Sequence, residues 1–234
     1  MLLDVLFSDN VMLSLLSVLI ALPALLFSLS AHEYAHGFAA YKQGDGFAKS
    51  AGRLTLNPFK HIDPIGTLMM LLVGFGWAKP VPIVPGNFRN GRKSMFIVSF
   101  AGILTNLILA VISMFLIYFF VYIIAPASSF FLTDIGTKIH SVVYMVLYYM
   151  VFINLNLAVF NLIPISPLDG YKIFKEIFIG KINYSFFLNM ERHSTIILLV
   201  FLVVSNRIGL ISMVSDFLFM LMTKAMELIF IAFV

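Results

Sequence analysis

The sequence has no cysteine, one tryptophan and little charge: acidic and basic side chains together make up 11% of its 234 residues. Without cysteine there is neither a disulfide framework nor a thiolate metal site. A typical soluble domain is about 25% charged. This chain is 61% hydrophobic with a mean hydropathy of +1.02, more apolar surface than one aqueous core can hide. A bilayer must therefore be the solvent for much of it. The net charge of +4 comes without the interleaved basic and aromatic stretches of a nucleic-acid binder, so nucleic acid is not expected as a partner. Residues 1–10 also lack the positive leader and small-residue cleavage site of a secretory signal. The first apolar run is thus expected to stay as a membrane helix, in a single membrane domain over residues 1–234.

Runs long enough to span occur at residues 11–40, 96–125, 139–163, 196–204 with its flanks, and 208–234. The fourth is the shortest. Residues 66–77 are apolar but too short to cross, and predict a re-entrant or interfacial loop. Lysine and arginine concentrate between the first and second runs and between the third and fourth. The positive-inside rule puts those loops in the cytoplasm and the N-terminus outside. The predicted fold is an all-α bundle of about five transmembrane helices with a small re-entrant β/loop element. Residues 53–56 and 81–84 are its candidate strands, able to pair with an unwound substrate by strand addition; a plain covering loop is the alternative.

His32-Glu33-Tyr34-Ala35-His36 closes the first run. Histidines at i and i+4 share a helix face and can reach one ion, and the pattern is that of a zinc protease. Glu33 lies about 100° round the helix, beside the metal rather than on it, where it can take a proton from the attacking water. Ionisable groups in an apolar helix cost about 2.5–3.5 kcal/mol each on insertion scales, so a role is expected for them. Ala31, Ala35 and Ala39 recur on one stripe and suit close helix packing.

A zinc site of this type needs a third protein ligand and an open position. Asn161-Leu162-Ile163-Pro164-Ile165-Ser166-Pro167-Leu168-Asp169-Gly170 ends the third run as a regular helix through its two prolines. Irregular backbone at membrane depth is tolerated where it lines a cavity, which would hold Asp169 at the wall. Asp169 could equally be the N-cap of a following helix over residues 171–179.

These two motifs, in this order on membrane spans, resemble the site-2 protease family, in its compact prokaryotic branch without PDZ or CBS segments. The resemblance runs from about Ser28 to Tyr171 and includes Gly102-Ile103-Leu104-Thr105-Asn106, residues 53–58 and His61-Ile62-Asp63-Pro64. It implies one zinc ion held by His32, His36 and Asp169, with Glu33 as catalytic base. It also implies single-span membrane proteins as substrates, cut in regulated proteolysis or in clearing signal-peptide remnants, at the cytoplasmic side of a prokaryotic plasma membrane. Asn106 lies mid-span and is read either as an oxyanion donor or as an interhelical hydrogen-bonding residue. Asn161 has the same pair of readings, oxyanion donor or support for the broken backbone. Asn154 and Asn156 are expected to bond between helices, His61 to sit in a loop near the membrane surface, and His140 and His193 to flank spans. A non-catalytic zinc-binding adaptor or a metal transporter is the rival class. The outer halves of the spans offer a transporter almost no polar path, and retention of Glu33 disfavours an inert adaptor.

Overall fold

The computed structural model describes residues 11–73 and 76–231. The expectation for residues 1–10 and the last residues of the fifth run lie outside that range. The described chain is a helical bundle: α1 Val11–Lys42, α2 Pro64–Val73, α3 Gly91–Phe119, α4 Asp134–Leu162, α5 Asp169–Phe178, α6 Tyr184–Arg192, α7 Ser194–Ile208 and α8 Leu210–Phe230.

Three helical stretches are long and apolar enough to cross a bilayer: Ser14–Lys42, Gly91–Ile124 and Asp134–Leu162. Only 22% of the most apolar part of the second and third is buried by protein, so lipid must cover the rest. The fourth expected run falls on α7, whose 15 residues reach about 22 Å, short of a hydrocarbon core of about 30 Å. It joins α6 at a bend of 71°, so the pair makes at most one broken span. The fifth expected run becomes α8, which is apolar on the whole but carries Asp216, Lys224 and Glu227 within 21 residues, more charge than the other three hold in their most apolar stretch. Among the described residues there are thus three candidate spans by length and composition, or four with the bent pair, where about five were expected.

Helix α3 is the axis of the fold and packs against α1, α4, α5 and α8. Its second half meets α4 and α8 in a core of Ala110, Met114, Ile117, Val151, Leu155, Met226 and Phe230. Its first half faces α1 and α5, where the polar residues collect. Helix α2, at ten residues, is too short to cross, in line with the expected re-entrant element. The chain doubles back so tightly that a Cβ on Gly66 would lie 2.1 Å from the Trp77 carbonyl oxygen.

No strand forms among the described residues. The first candidate strand is tied by a side chain to the two residues just before the second, with no backbone ladder between them. The Arg53 guanidinium donates to Lys79 O at 2.8 Å and to Pro80 O at 3.2 Å. Pro80, Pro82 and Pro85 have no N–H to give a ladder, and proline is tolerated only at sheet edges.

Candidate metal centre

The His-Glu-x-x-His turn lies in the last third of α1. The rings of His32 and His36 sit 4.6 Å apart and nearly perpendicular, at 87°. Each Nδ1 donates away from the other ring. That of His32 reaches Asn106 Oδ1 at 2.6 Å, and that of His36 reaches the Val98 carbonyl at 2.7 Å. A neutral imidazole with its proton on Nδ1 presents a lone pair on Nε2.

Those two Nε2 atoms are 2.9 Å apart, and Asp169 Oδ2 lies 3.1 Å from the first and 2.9 Å from the second. All three residues are buried, and they form one group of potential metal ligands. With both rings neutral, three lone-pair donors converge, an arrangement that repels itself unless a cation stands among them. Two imidazoles and one carboxylate are a donor set of catalytic zinc sites, so the residues present fit that ion.

Asp169 is the first residue of α5 and makes no cap; Leu168 is the N-cap. Its Oδ1 accepts from Lys172 Nζ at 2.9 Å, which leaves Oδ2 for the histidines. Gly170 allows this start to press on the end of α4, since a Cβ there would stand 2.3 Å from Leu162 O. Gly102 has the same kind of duty on α3. A Cβ at that position would be 2.6 Å from both His32 Cε1 and His36 Nε2.

Behind His32 runs a buried chain of hydrogen bonds. Asn106 Nδ2 donates to Asn154 Oδ1 at 2.8 Å, Asn154 Nδ2 to Ser28 Oγ at 2.8 Å, and Ser28 Oγ to Ala24 O at 2.7 Å. Asn106 therefore grips the ring edge remote from Nε2 and fixes its tautomer. Asn161 turns back on its own helix, with Nδ2 donating to Leu157 O at 3.0 Å. Neither asparagine joins the group formed by His32, His36 and Asp169.

Glu33 stands outside the ligand group. Its Oε2 accepts the Val81 N–H at 2.7 Å. Val81 sits between Pro80 and Pro82, so in residues 80–82 it has the only backbone donor. The segment is anchored further on by Asp45, whose carboxylate accepts from Val84 N at 2.7 Å, Asn87 Nδ2 at 2.8 Å and Phe47 N at 3.1 Å. Burial pushes the Asp45 carboxyl up, but these three bonds outweigh it and hold it below the ordinary carboxylate range.

The remaining histidines lie elsewhere. His61 is buried and pins its own loop through Nε2 to Thr55 O at 2.8 Å, while its carbonyl accepts from Lys79 N. His140 stacks on Phe120 at 5.2 Å, and His193 Nδ1 bonds Asn189 O. Sequence reasoning missed Lys172, the Val81 amide and the relay role of Asn154. The lysine's i+3 spacing from Asp169 was a usable signal. A backbone donor has no residue signature beyond the prolines that flank it.

The comparisons agree with this geometry. The chain is 42% identical over 156 residues to the Bacillus subtilis protein named "Putative zinc metalloprotease YwhC", which covers 65% of this chain and 66% of that protein. It is 33% identical over 151 residues to "Putative zinc metalloprotease Rip2" of Mycolicibacterium smegmatis, covering 62% of this chain and 52% of the relative. The Mycobacterium tuberculosis protein of the same name is 31% identical over the same shares. The chain thus spans between half and two thirds of the length of these curated relatives. No solved structure matches it significantly. The model of Peptidase family M50 matches residues 20–205, which takes in both histidines, Glu33 and Asp169. On that match, and with the three candidate ligands converging as described, this membrane protein belongs to Peptidase family M50.

Proposed function

We propose that the chain is an intramembrane zinc protease that hydrolyses peptide bonds within or near the transmembrane segments of single-span membrane proteins. The observation that carries this reading is the meeting of His32, His36 and Asp169 with Glu33 beside them and outside the ligand group. When bound, zinc supplies Lewis acidity, polarising the scissile carbonyl and making water a nucleophile near neutral pH. His32 and His36 are held in the binding tautomer by Asn106 and the Val98 carbonyl. Glu33, oriented by the Val81 amide, takes the proton of the attacking water and passes it to the leaving nitrogen. The same amino acids would do little for a transporter, which has no use for a base beside the ion.

The basic loops that flank the spans support an active site toward the cytoplasm. A substrate helix shields its carbonyls and bonds each to an i+4 amide, so cleavage requires local unwinding. In hydrocarbon each freed backbone group costs several kcal/mol unless re-satisfied. Helix-weakening residues near the cytoplasmic third of the substrate span should therefore speed cleavage, since Gly costs about 1 and Pro about 3 kcal/mol relative to Ala in soluble helices. The test is a series of one single-span substrate carrying Leu, Gly or Pro at that depth, incubated with the parent chain and with Glu33→Gln. Faster cutting of Gly and Pro versions, with none by the variant, is expected. Equal rates across the series, or cutting near the outer surface, would remove the unwinding argument and the assigned depth.

A further inference from the structure

Peptide hydrolysis builds negative charge on the scissile oxygen, and neither asparagine first considered for that oxygen is placed to receive it. Asn106 is committed to His32 Nδ1 and Asn154, and Asn161 to its own helix. We infer that Lys172 is a catalytic residue, the cationic donor that stabilises the oxyanion. The inference rests on the protease reading given above.

A cavity of about 230 Å³ opens beside His36, walled by Val81, Ile83, Met95 and Val98 and edged by Ser99 and Lys172. A cavity of about 150 Å³ already admits benzene, so this one has room for a peptide unit with its side chain. Lys172 is the one cation among its lining residues. Val81 lines the same cavity and its amide holds Glu33, so the base is one contact removed from the space that the lysine and His36 border. Helix geometry fixes the lysine: it stands three residues after Asp169 in the first turns of α5, its Nζ 2.9 Å from Asp169 Oδ1. Its side chain stays 40% exposed, open to an incoming carbonyl. Near it, Ser99 Oγ is buried without a protein partner.

The chemistry balances without further reactants. The water oxygen adds to the carbonyl carbon as Glu33 takes one water proton, and the carbonyl π pair moves to oxygen. Lys172 donates a hydrogen bond to that oxyanion and keeps its proton. The pair then returns to re-form C=O, the C–N bond breaks, and Glu33 delivers its proton to the departing nitrogen. A preformed cation in a mostly apolar cavity acts on the charge where it develops, with little reorganisation.

A purely positioning lysine would orient Asp169 and act only through metal affinity, so the test separates the two. The full chain in lipid nanodiscs is assayed as parent, Lys172→Met and Lys172→Arg on a synthetic single-span substrate with Gly in its cytoplasmic third. Zinc affinity is measured in parallel by competition with a chromogenic chelator. At saturating zinc, Lys172→Met is expected to lose on the order of 10²–10³-fold in kcat, with KM little changed. Lys172→Arg, which keeps the charge, should recover most of that loss. If Lys172→Met instead binds zinc about 10–100-fold more weakly and regains full kcat once saturated, the lysine only orients Asp169 and the assignment falls. Unchanged kcat in Lys172→Met overturns it as well. A zinc-loaded parent that cleaves no member of the substrate series overturns the protease reading itself, and this assignment with it.

Discussion

The backbone N–H of Val81 donates to Glu33 Oε2 at 2.7 Å across 48 residues of sequence. The proline on either side of Val81 leaves the stretch one donor, and that donor is aimed at the candidate base. A carboxylate held by one oxygen keeps the other for a proton. The rigidity of the 79–85 segment is therefore part of how Glu33 is oriented.

Ligand and base should separate in zinc content. His36→Ala and Asp169→Ala should lose zinc on purification, since each removes one of three donors. Glu33→Gln should keep it and lose cleavage by at least about 10²-fold, as removal of a general base does. Elemental analysis with a cleavage assay reads both. Full zinc in Asp169→Ala would remove the aspartate from the ligand set.

Gly102→Ala should behave as a metal-site lesion although it changes no polar atom. The added methyl would stand 2.6 Å from His32 Cε1 and His36 Nε2, so either α3 retreats or the rings turn. A fall in zinc affinity of about 10-fold or more is expected, as when support for a ligand is lost. Gly86→Ala, where a Cβ meets nothing within 4 Å, is the control and should bind zinc like the parent.

Asn154 tests the relay at a distance from the ion. Asn154→Leu strands the Asn106 amide N–H, at about 1–3 kcal/mol for a buried group left unpaired, and takes one donor from Ser28, whose hydroxyl still bonds Ala24 O. Weaker zinc binding, by about 10–100-fold, should accompany that loss of stability. Zinc binding equal to the parent in a folded variant would show that His32 keeps its tautomer without the relay.

Asp45 should give the fold an acid limb. Its folded-state carboxyl is held below the ordinary range, so its contribution is complete above the unfolded-state value near 3.9 and is lost as pH falls through the lower folded value. Protease nicking between residues 79 and 89 should accelerate over that window. In Asp45→Asn the bonds to Val84, Asn87 and Phe47 cannot all be kept, so nicking should already be fast at neutral pH and respond less to acid. A variant with the parent's acid limb would place the sensitive group elsewhere.

The residues of the candidate centre were legible because they break a strong local rule. His32, Glu33 and His36 interrupt an apolar helix, and Pro164 and Pro167 interrupt another just before Asp169. Polar groups in hydrocarbon stand out in one dimension. The supporting contacts were not legible in the same way. The Val98 carbonyl and the clearance at Gly102 depend on how α3 docks against α1, and the Val81 amide on how the 79–85 segment lies against α1, which no local pattern encodes. The expected strand at 81–84 failed on a local rule given too little weight, the missing N–H of Pro82 within it and of Pro80 and Pro85 at its flanks. The fifth expected run carries Asp216, Lys224 and Glu227, and these three charges set it apart from the three candidate spans in an otherwise apolar helix.

Helix α3 carries the clearance at Gly102 and the His32 anchor at Asn106 on one half, and the core residues Ala110, Met114 and Ile117 on the other. Whatever shifts that rod disturbs both halves at once. By mass action, an ion that binds only the assembled bundle adds about 2.7 kcal/mol to its stability at a concentration 100 times its dissociation constant. Metal occupancy thus serves as an inspection of assembly: a chain whose α3 is misplaced offers no site, and a chain stripped of its ion is held together less firmly far from the place where the ion was bound.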